Sequence, residues 1–222
     1  MTSEELKNAA VSVLGKPYHT QLYLILKVGN ELIMRLADIE DKNTAPEIQQ
    51  MFVGFVNNTI IYNDNITIRC LSIADELPNA IYEYDYENYP EELGVFKEFS
   101  IDTAVKLEKF NFETDNLSQL FGYIIYLGSM ENGIVLFKKH YPISLIKRDS
   151  FLLGAIKSAE RFEKLPGEDI IRLNDSIQLV RINEAIFVLD LKMLERNMGF
   201  SALIQKAANE TVEAIQTLEI LD

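Results

Sequence analysis

Residues 121–190 alternate apolar runs with short polar breaks, and this pattern predicts an antiparallel β-meander. The runs at 123–127 and 134–137 are rich in β-branched and aromatic residues, which favour strands. Asn132 and Gly133 lie between them and are typical of a hairpin connection. Two more strands are predicted at 177–182 and 185–189, so four consecutive strands are expected to lie side by side.

The first half of the chain mixes helical and strand patterns. The predicted elements are helices at 3–15 and 44–57, and strands at 22–28, 31–36, 60–62 and 66–73. They lack the regular strand–helix–strand order of a parallel doubly wound sheet, so the pattern favours an α+β fold. We predict two parts: an acidic, mixed part at 1–113, and a part at 114–222 that holds the meander and C-terminal helices.

An amphipathic helix is predicted after Ser201, a residue suited to cap it. Its apolar positions recur at helical spacing: Ile204, Ala208, Val212 and Ile215. This face either docks on the chain's own sheet, which is the favoured interpretation, or binds a missing segment or a partner. We predict that it is in part a protein interface, which implies a homodimer or larger homo-oligomer.

Residues 75–89 alternate tyrosines with acids and have two interpretations. They form either a solvated edge strand protected by its charges, which is the favoured interpretation, or an acidic docking strip whose tyrosines contact a partner.

Composition is that of a folded protein, with 48% hydrophobic and 25% charged residues. The net charge of −13 is uneven, because residues 1–120 carry 9 basic against 20 acidic residues and residues 121–222 carry 12 against 14. Within the second part, residues 132–164 hold seven basic residues and three acids. This basic segment stands out in an acidic chain.

No catalytic or metal-binding motif is evident. Cys70 lies in an apolar run, which predicts a buried, inert thiol. His19 and His140 have no second ligand at metal-binding spacing. We therefore expect no metal, no cofactor and no enzymatic activity. The acidic residues of 1–10 and the lack of an apolar run of about 18 residues favour a cytoplasmic location.

The basic segment is the one candidate for function. It consists of Lys138, Lys139, Lys147, Arg148, Lys157, Arg161 and Lys164. A helix predicted at 153–165 places the last three on one face. Such residues can neutralise the phosphates of double-stranded DNA without reading its bases. Alternatively, they pair with the chain's own surplus of acids.

Several segments resemble the KwaB family, the soluble subunits of the Kiwa anti-phage defence system. The resemblance is carried by ADELPNAIYEYDYENYPEELGVF, GIVLFKKHYPISLIKRDSFLL, LNDSIQLVR and NEAIFVLDLKMLERNMGF. The resemblance extends over nearly the whole chain, although its motifs are diffuse. The chain is shorter at its C-terminus than expected for this family, so it is either a fragment or a short relative.

That resemblance implies a DNA-engaging subunit that acts with the membrane protein KwaA. It would bind double-stranded DNA independently of sequence, in the cytoplasm or at the inner face of the membrane through that partner. The alternative function is a scaffold or sensor subunit that works through protein contacts and has no nucleic-acid site in this chain.

Overall fold

The computed structural model describes residues 1–39, 44–73, 77, 79–141, 153–156, 161–164 and 173–217. Its helices are α1 (Ser3–Leu14), α2 (Thr44–Val56), α3 (Glu91–Lys97), α4 (Ile101–Ala104), α5 (Leu191–Asn197) and α6 (Phe200–Thr217). Its strands are β1 (His19–Val28), β2 (Glu31–Leu36), β3 (Thr67–Cys70), β4 (Ala80–Glu83), β5 (Leu120–Gly128), β6 (Gly133–Lys139), β7 (Leu153–Ile156), β8 (Arg161–Lys164), β9 (Leu179–Ile182) and β10 (Ala185–Val188). The predicted α+β fold class is confirmed.

Eight strands form one sheet in the order β2-β1-β5-β6-β9-β10-β4-β3. Neighbouring strands are antiparallel except β3 and β4, which are parallel. The predicted meander is present as β5-β6-β9-β10. Strands from residues 1–113 flank it on both sides, since β1 pairs with β5 and β4 pairs with β10. The division of the sequence at 113/114 stays a prediction.

Residues between β6 and β9 contribute a separate two-stranded antiparallel sheet, β7–β8, in which Leu153 pairs with Lys164 and Ile156 pairs with Arg161. The predicted helix at 153–165 is therefore wrong. Gly154 disfavours a helix interior, and strand pairing overrides the helical spacing of the charges.

Both faces of the sheet are covered by helices. On one face, α1 and α2 pack against alternate residues of the central strands, including Tyr123 and Ile125. On the other face, α3, α5 and the start of α6 pack against the intervening residues, including Ile124 and Phe137. Every residue of β5 is consequently buried. A strand buried on both faces explains why this run is almost continuously apolar.

The first two helices lie close to their predicted ranges, but the second extends further along the chain than predicted. Thr2 caps α1 and forms a capping box with Glu5. The strand predicted at 60–62 is wrong, because α2 continues into a π-helical turn at Asn57–Ile61. Phe52, Val56 and Ile60 are all fully buried in one cluster. Their spacing of four residues continues the apolar face of α2.

Cys70 lies at the end of β3, an edge strand, and is exposed, so the prediction of a buried thiol is wrong. The tyrosine-rich residues do not form the sheet edge either. Tyr82 lies in β4, between β3 and β10, and is 3% exposed. Tyr84 and Tyr86 pack on Phe200, with ring centroids 6.0 and 5.3 Å away. These tyrosines hold the start of α6 against the sheet.

Candidate functional site

The structure describes the predicted basic segment only in part. Lys147, Arg148 and Lys157 lie outside the described residues, and Arg161 and Lys164 are described as backbone positions in β8. Their prediction as DNA contacts stays open, although the shared helix face proposed for Lys157, Arg161 and Lys164 is excluded. Lys138 and Lys139 are described with their side chains.

Lys138 and Lys139 are consecutive at the end of β6, so their side chains point to opposite faces of the sheet. The Lys138 Nζ donates a hydrogen bond to Ser176 Oγ at 2.8 Å. The Lys139 Nζ donates to the Phe121 carbonyl oxygen at 2.9 Å and lies 3.6 Å from the centroid of the Phe121 ring. The two lysines therefore do not form one continuous face.

The strand order brings another cation to Lys139. Lys27, at the end of β1, has its Nζ 5.8 Å from the centroid of the same Phe121 ring. It also pairs with Glu92 of α3, at 3.5 Å. Sequence analysis missed Lys27 because it lies far upstream in the acidic part. The order β1-β5-β6 is the signal that identifies it, and no local pattern carries that order.

Burial disfavours the charged forms of the groups at this end of β6. Desolvation lowers the pKa of Lys139 to about 8, and repulsion from Lys27 adds to the shift while Glu92 opposes it. Burial also lowers the pKa of Lys138, and that of His140, where the charge of Lys139 contributes. An anion placed here would favour the protonated forms and relieve part of this cost. We call Lys27, Lys138, Lys139 and His140 the cationic end.

A cavity of about 520 Å³ lies at the opposite end of β5 and β6, between the β5–β6 and β9–β10 turns and the start of α4. Arg181 is buried beneath it and donates to the carbonyl oxygens of Lys97 and Phe99. The acids around the cavity are Glu98, Asp102, Glu131 and Glu184. These carboxylates repel phosphate groups, so the cavity is a poor candidate for nucleic-acid binding.

The described ranges hold no group of three or more His, Cys, Asp or Glu residues placed to bind a metal ion. In the same ranges, no helix combines the length and apolar character needed to cross a membrane.

The predicted interface on α6 is described for two of its four positions. Ile204 is half-buried against the core formed by α3, α5 and the sheet, whereas Ala208 is exposed. Val212 and Ile215 are described as helix positions only.

The fold and the cationic end define an α+β protein with a candidate anion-binding surface. Comparison with known proteins adds a similarity to one family. Residues 117–222 match the family model described as Kiwa protein KwaB-like. The predicted resemblance to the KwaB family is thereby confirmed for residues 117–222.

The chain is similar to one curated relative in particular, Kiwa protein KwaB of Escherichia coli O55:H7, with 23% identity over 208 residues. The alignment covers 94% of this chain and 64% of that relative, so the chain spans slightly under two thirds of the relative's length. No solved structure matches the chain. The matched family region includes Lys138 and Lys139 and excludes Lys27.

Proposed function

We propose that the chain is a DNA-engaging, non-enzymatic subunit of a Kiwa-type anti-phage defence system. The KwaB-like match supports the defence role. The observation that carries the DNA-binding part is the cationic end, where Lys139 of the matched region lies near Lys27 beside the Phe121 ring. Burial and mutual repulsion oppose the protonated state of Lys139, and a phosphate would relieve that opposition.

Contacts of this kind recognise the DNA backbone and not the sequence. Lysine ammonium groups neutralise phosphates, and the release of counterions makes such binding weaken as salt rises. The overall charge of −13 repels DNA from most of the surface. Double-stranded DNA would therefore approach with only one side of the protein facing it, the side that carries the basic residues.

The proposal assigns binding, and no cleavage, to this chain. The membrane protein KwaA is the proposed partner, and through it the chain would act at the inner face of the membrane. Metal-dependent degradation of bound DNA by the purified chain would contradict the non-enzymatic part of the proposal.

The decisive experiment is a salt titration of binding to fluorescent duplexes of two unrelated sequences. We expect equal affinities for both, with log K falling against log salt by about 0.9 for each phosphate contacted. The same titration on a chain extended at its C-terminus shows whether further residues add contacts. Failure to bind either duplex at about 50 mM salt, where phosphate contacts are strongest, would overturn DNA binding by this chain.

A scaffold or sensor role is the second candidate, and α6 favours it. Ile204 packs on the chain's own core while Ala208, one turn later, is exposed. The apolar face is thus packed on the core at Ile204 and exposed at Ala208. If α6 binds a second copy, light scattering should show a dimer that Ala208→Glu weakens and the matched exposed change Gln205→Glu leaves intact. A strict monomer over a wide concentration range would contradict self-association.

A further inference from the structure

The cationic end contains one arrangement more specific than a general positive charge. The ammonium groups of Lys27 and Lys139 both approach the ring of Phe121, at 5.8 and 3.6 Å from its centroid. Phe121 is 6% exposed, so its ring is a fixed platform between the two side chains. The ends of three neighbouring strands, β1, β5 and β6, therefore hold two like charges near one another.

The charges that face Lys139 come from three elements. Strand β1 supplies Lys27, α3 supplies Glu92, and His140 follows Lys139 in its own chain segment. On the β9 side the neighbour is neutral, because Gln178 accepts the backbone N–H of Lys139 at 2.8 Å. Glu92 lies 3.5 Å from the Lys27 ammonium. One carboxylate thus opposes two lysines, which leaves an unmatched positive charge beside the ring.

We infer that Lys27 and Lys139 together bind one backbone phosphate of double-stranded DNA and that Lys139 takes up a proton when the phosphate binds. This inference rests on the proposed function and identifies a particular contact within it. The proton comes from solvent and joins the Lys139 nitrogen, and no covalent bond to DNA is formed.

The proton uptake follows from the environment of Lys139. Its pKa of about 8 means that much of the free protein carries a neutral Lys139 amine at slightly alkaline pH. A phosphodiester keeps its negative charge throughout this range and favours the ammonium. Binding must then supply the free energy of protonation, so affinity falls as pH rises through the pKa of the free protein.

The test is a pH series of duplex-DNA binding at constant low salt, from pH 6.5 to 9.5. For the wild-type chain we expect constant affinity up to about pH 7.5 and a loss of roughly tenfold by pH 9.5. Lys139→Arg should show a flat pH profile, because guanidinium stays protonated. Lys139→Met should be weak at every pH.

Lys27→Met provides an independent measurement. Removing Lys27 removes both a phosphate contact and the repulsion that lowers the pKa of Lys139. Affinity should fall at neutral pH, and the midpoint of the remaining pH profile should move upward. Lys16→Met changes an exposed lysine two residues after α1; it is the matched control and should retain both the wild-type affinity and its profile.

The controls separate this contact from other sources of pH dependence. Burial lowers the pKa of His140, and this residue remains in Lys139→Arg, so it cannot explain an alkaline profile that this variant abolishes. The α-amino group of Met1 titrates at alkaline pH but remains in Lys139→Arg, so it cannot explain a profile that this variant abolishes. Thermal melts establish that each variant is folded. If Lys139→Met does not fold, the single variants Lys139→Arg and Lys27→Met are sufficient to test the contact.

The outcomes distinguish the contact from the function. A wild-type profile that is flat, or that persists in Lys139→Arg, overturns the contact and leaves DNA binding in place. Absence of binding at pH 7 and about 50 mM salt overturns DNA binding itself, and the contact with it.

Discussion

The ring of Phe137 on β6 packs against that of Phe96 on α3, with centroids 5.9 Å apart and planes inclined at 59°. Phe137 is 1% exposed and lies two residues before Lys139, so the aromatic contact fixes the strand that carries the cationic end. Core packing and the candidate site therefore depend on the same short segment.

Phe137→Ala should destabilise the protein by on the order of 3 kcal/mol, because it removes a fully buried aromatic side chain and leaves a cavity. Chemical denaturation measures this loss. Phe112→Ala is the matched control, since Phe112 is 76% exposed, and it should cost less than about 0.5 kcal/mol. A similarly small loss for Phe137→Ala would contradict the strand register.

Lys139 should make stability rise with pH in the alkaline range. Its pKa is about 8 in the folded protein and 10.5 ordinarily, so between these values the unfolded chain binds more protons. Below pH 8 Lys139 is protonated in both the folded and the unfolded protein, so the cost of burying its charge is constant. As pH rises from 8 to 10.5 the folded amine is neutral and this cost is progressively relieved.

The measurement is the difference in unfolding free energy between wild type and Lys139→Met, because other titrating groups largely cancel in it. From pH 7.5 to 10 this difference should shift in favour of wild type by on the order of 1 kcal/mol, a value reduced for the partial exposure of Lys139. A difference that falls over this range would show that the Lys139 ammonium is stabilised in the folded state.

The β9–β10 turn stores backbone strain at a replaceable position. Asn183 and Glu184 both have positive φ, at 49° and 66°, and Asn tolerates this conformation better than Glu. Glu184→Gly should stabilise the protein by about 0.5–1 kcal/mol. Glu184→Gln retains the strain and removes only the charge, so its melting temperature should stay near that of wild type. Equal effects of the two substitutions would assign the gain to charge.

The basic positions of the β7–β8 region can be tested by charge reversal. Lys157→Glu combined with Arg161→Glu should weaken duplex-DNA binding and reduce its salt dependence, because two phosphate contacts are replaced by repulsion. Lys16→Glu with Lys106→Glu reverses two exposed lysines of the acidic part and is the control. Unchanged affinity in a folded Lys157/Arg161 double variant would remove these two residues from the proposed interface.

Local signals made much of the fold predictable. Gly29, with φ of 64°, forms the turn that joins β1 to β2, in the short break between the strands predicted at 22–28 and 31–36. The four strands of the meander follow from their apolar runs and short polar turns. In each case the information lies within a few residues of the element that it specifies.

The misassigned elements show where local signals fail. Ile60 belongs to a β-branched pair that favours a strand, yet burial with Phe52 and Val56 keeps it helical. Cys70 lies in an apolar run, but β3 is at the sheet edge and leaves it exposed. Position within the sheet decides such cases, and one strand's sequence does not encode it.

The candidate site was predictable only to the level of a basic segment. Lys139 was identified from its neighbours in sequence, whereas its proximity to Lys27 depends on strand order. The opposite orientation of Lys138 follows from strand alternation once β6 is recognised. Sequence therefore located one lysine of the pair, but neither the burial that lowers its pKa nor the neighbouring charge that adds to this shift.

The position of β4 constrains how the protein folds during synthesis. Glu83 of β4 pairs with Phe187 of β10, about 100 residues later in the chain. While a ribosome makes the chain, β3 and β4 must wait for β10 to emerge before joining the main sheet. Closing so long a loop is slow, and until it closes Tyr82 lacks its final neighbour and the incomplete sheet edge is open to association with other nascent chains.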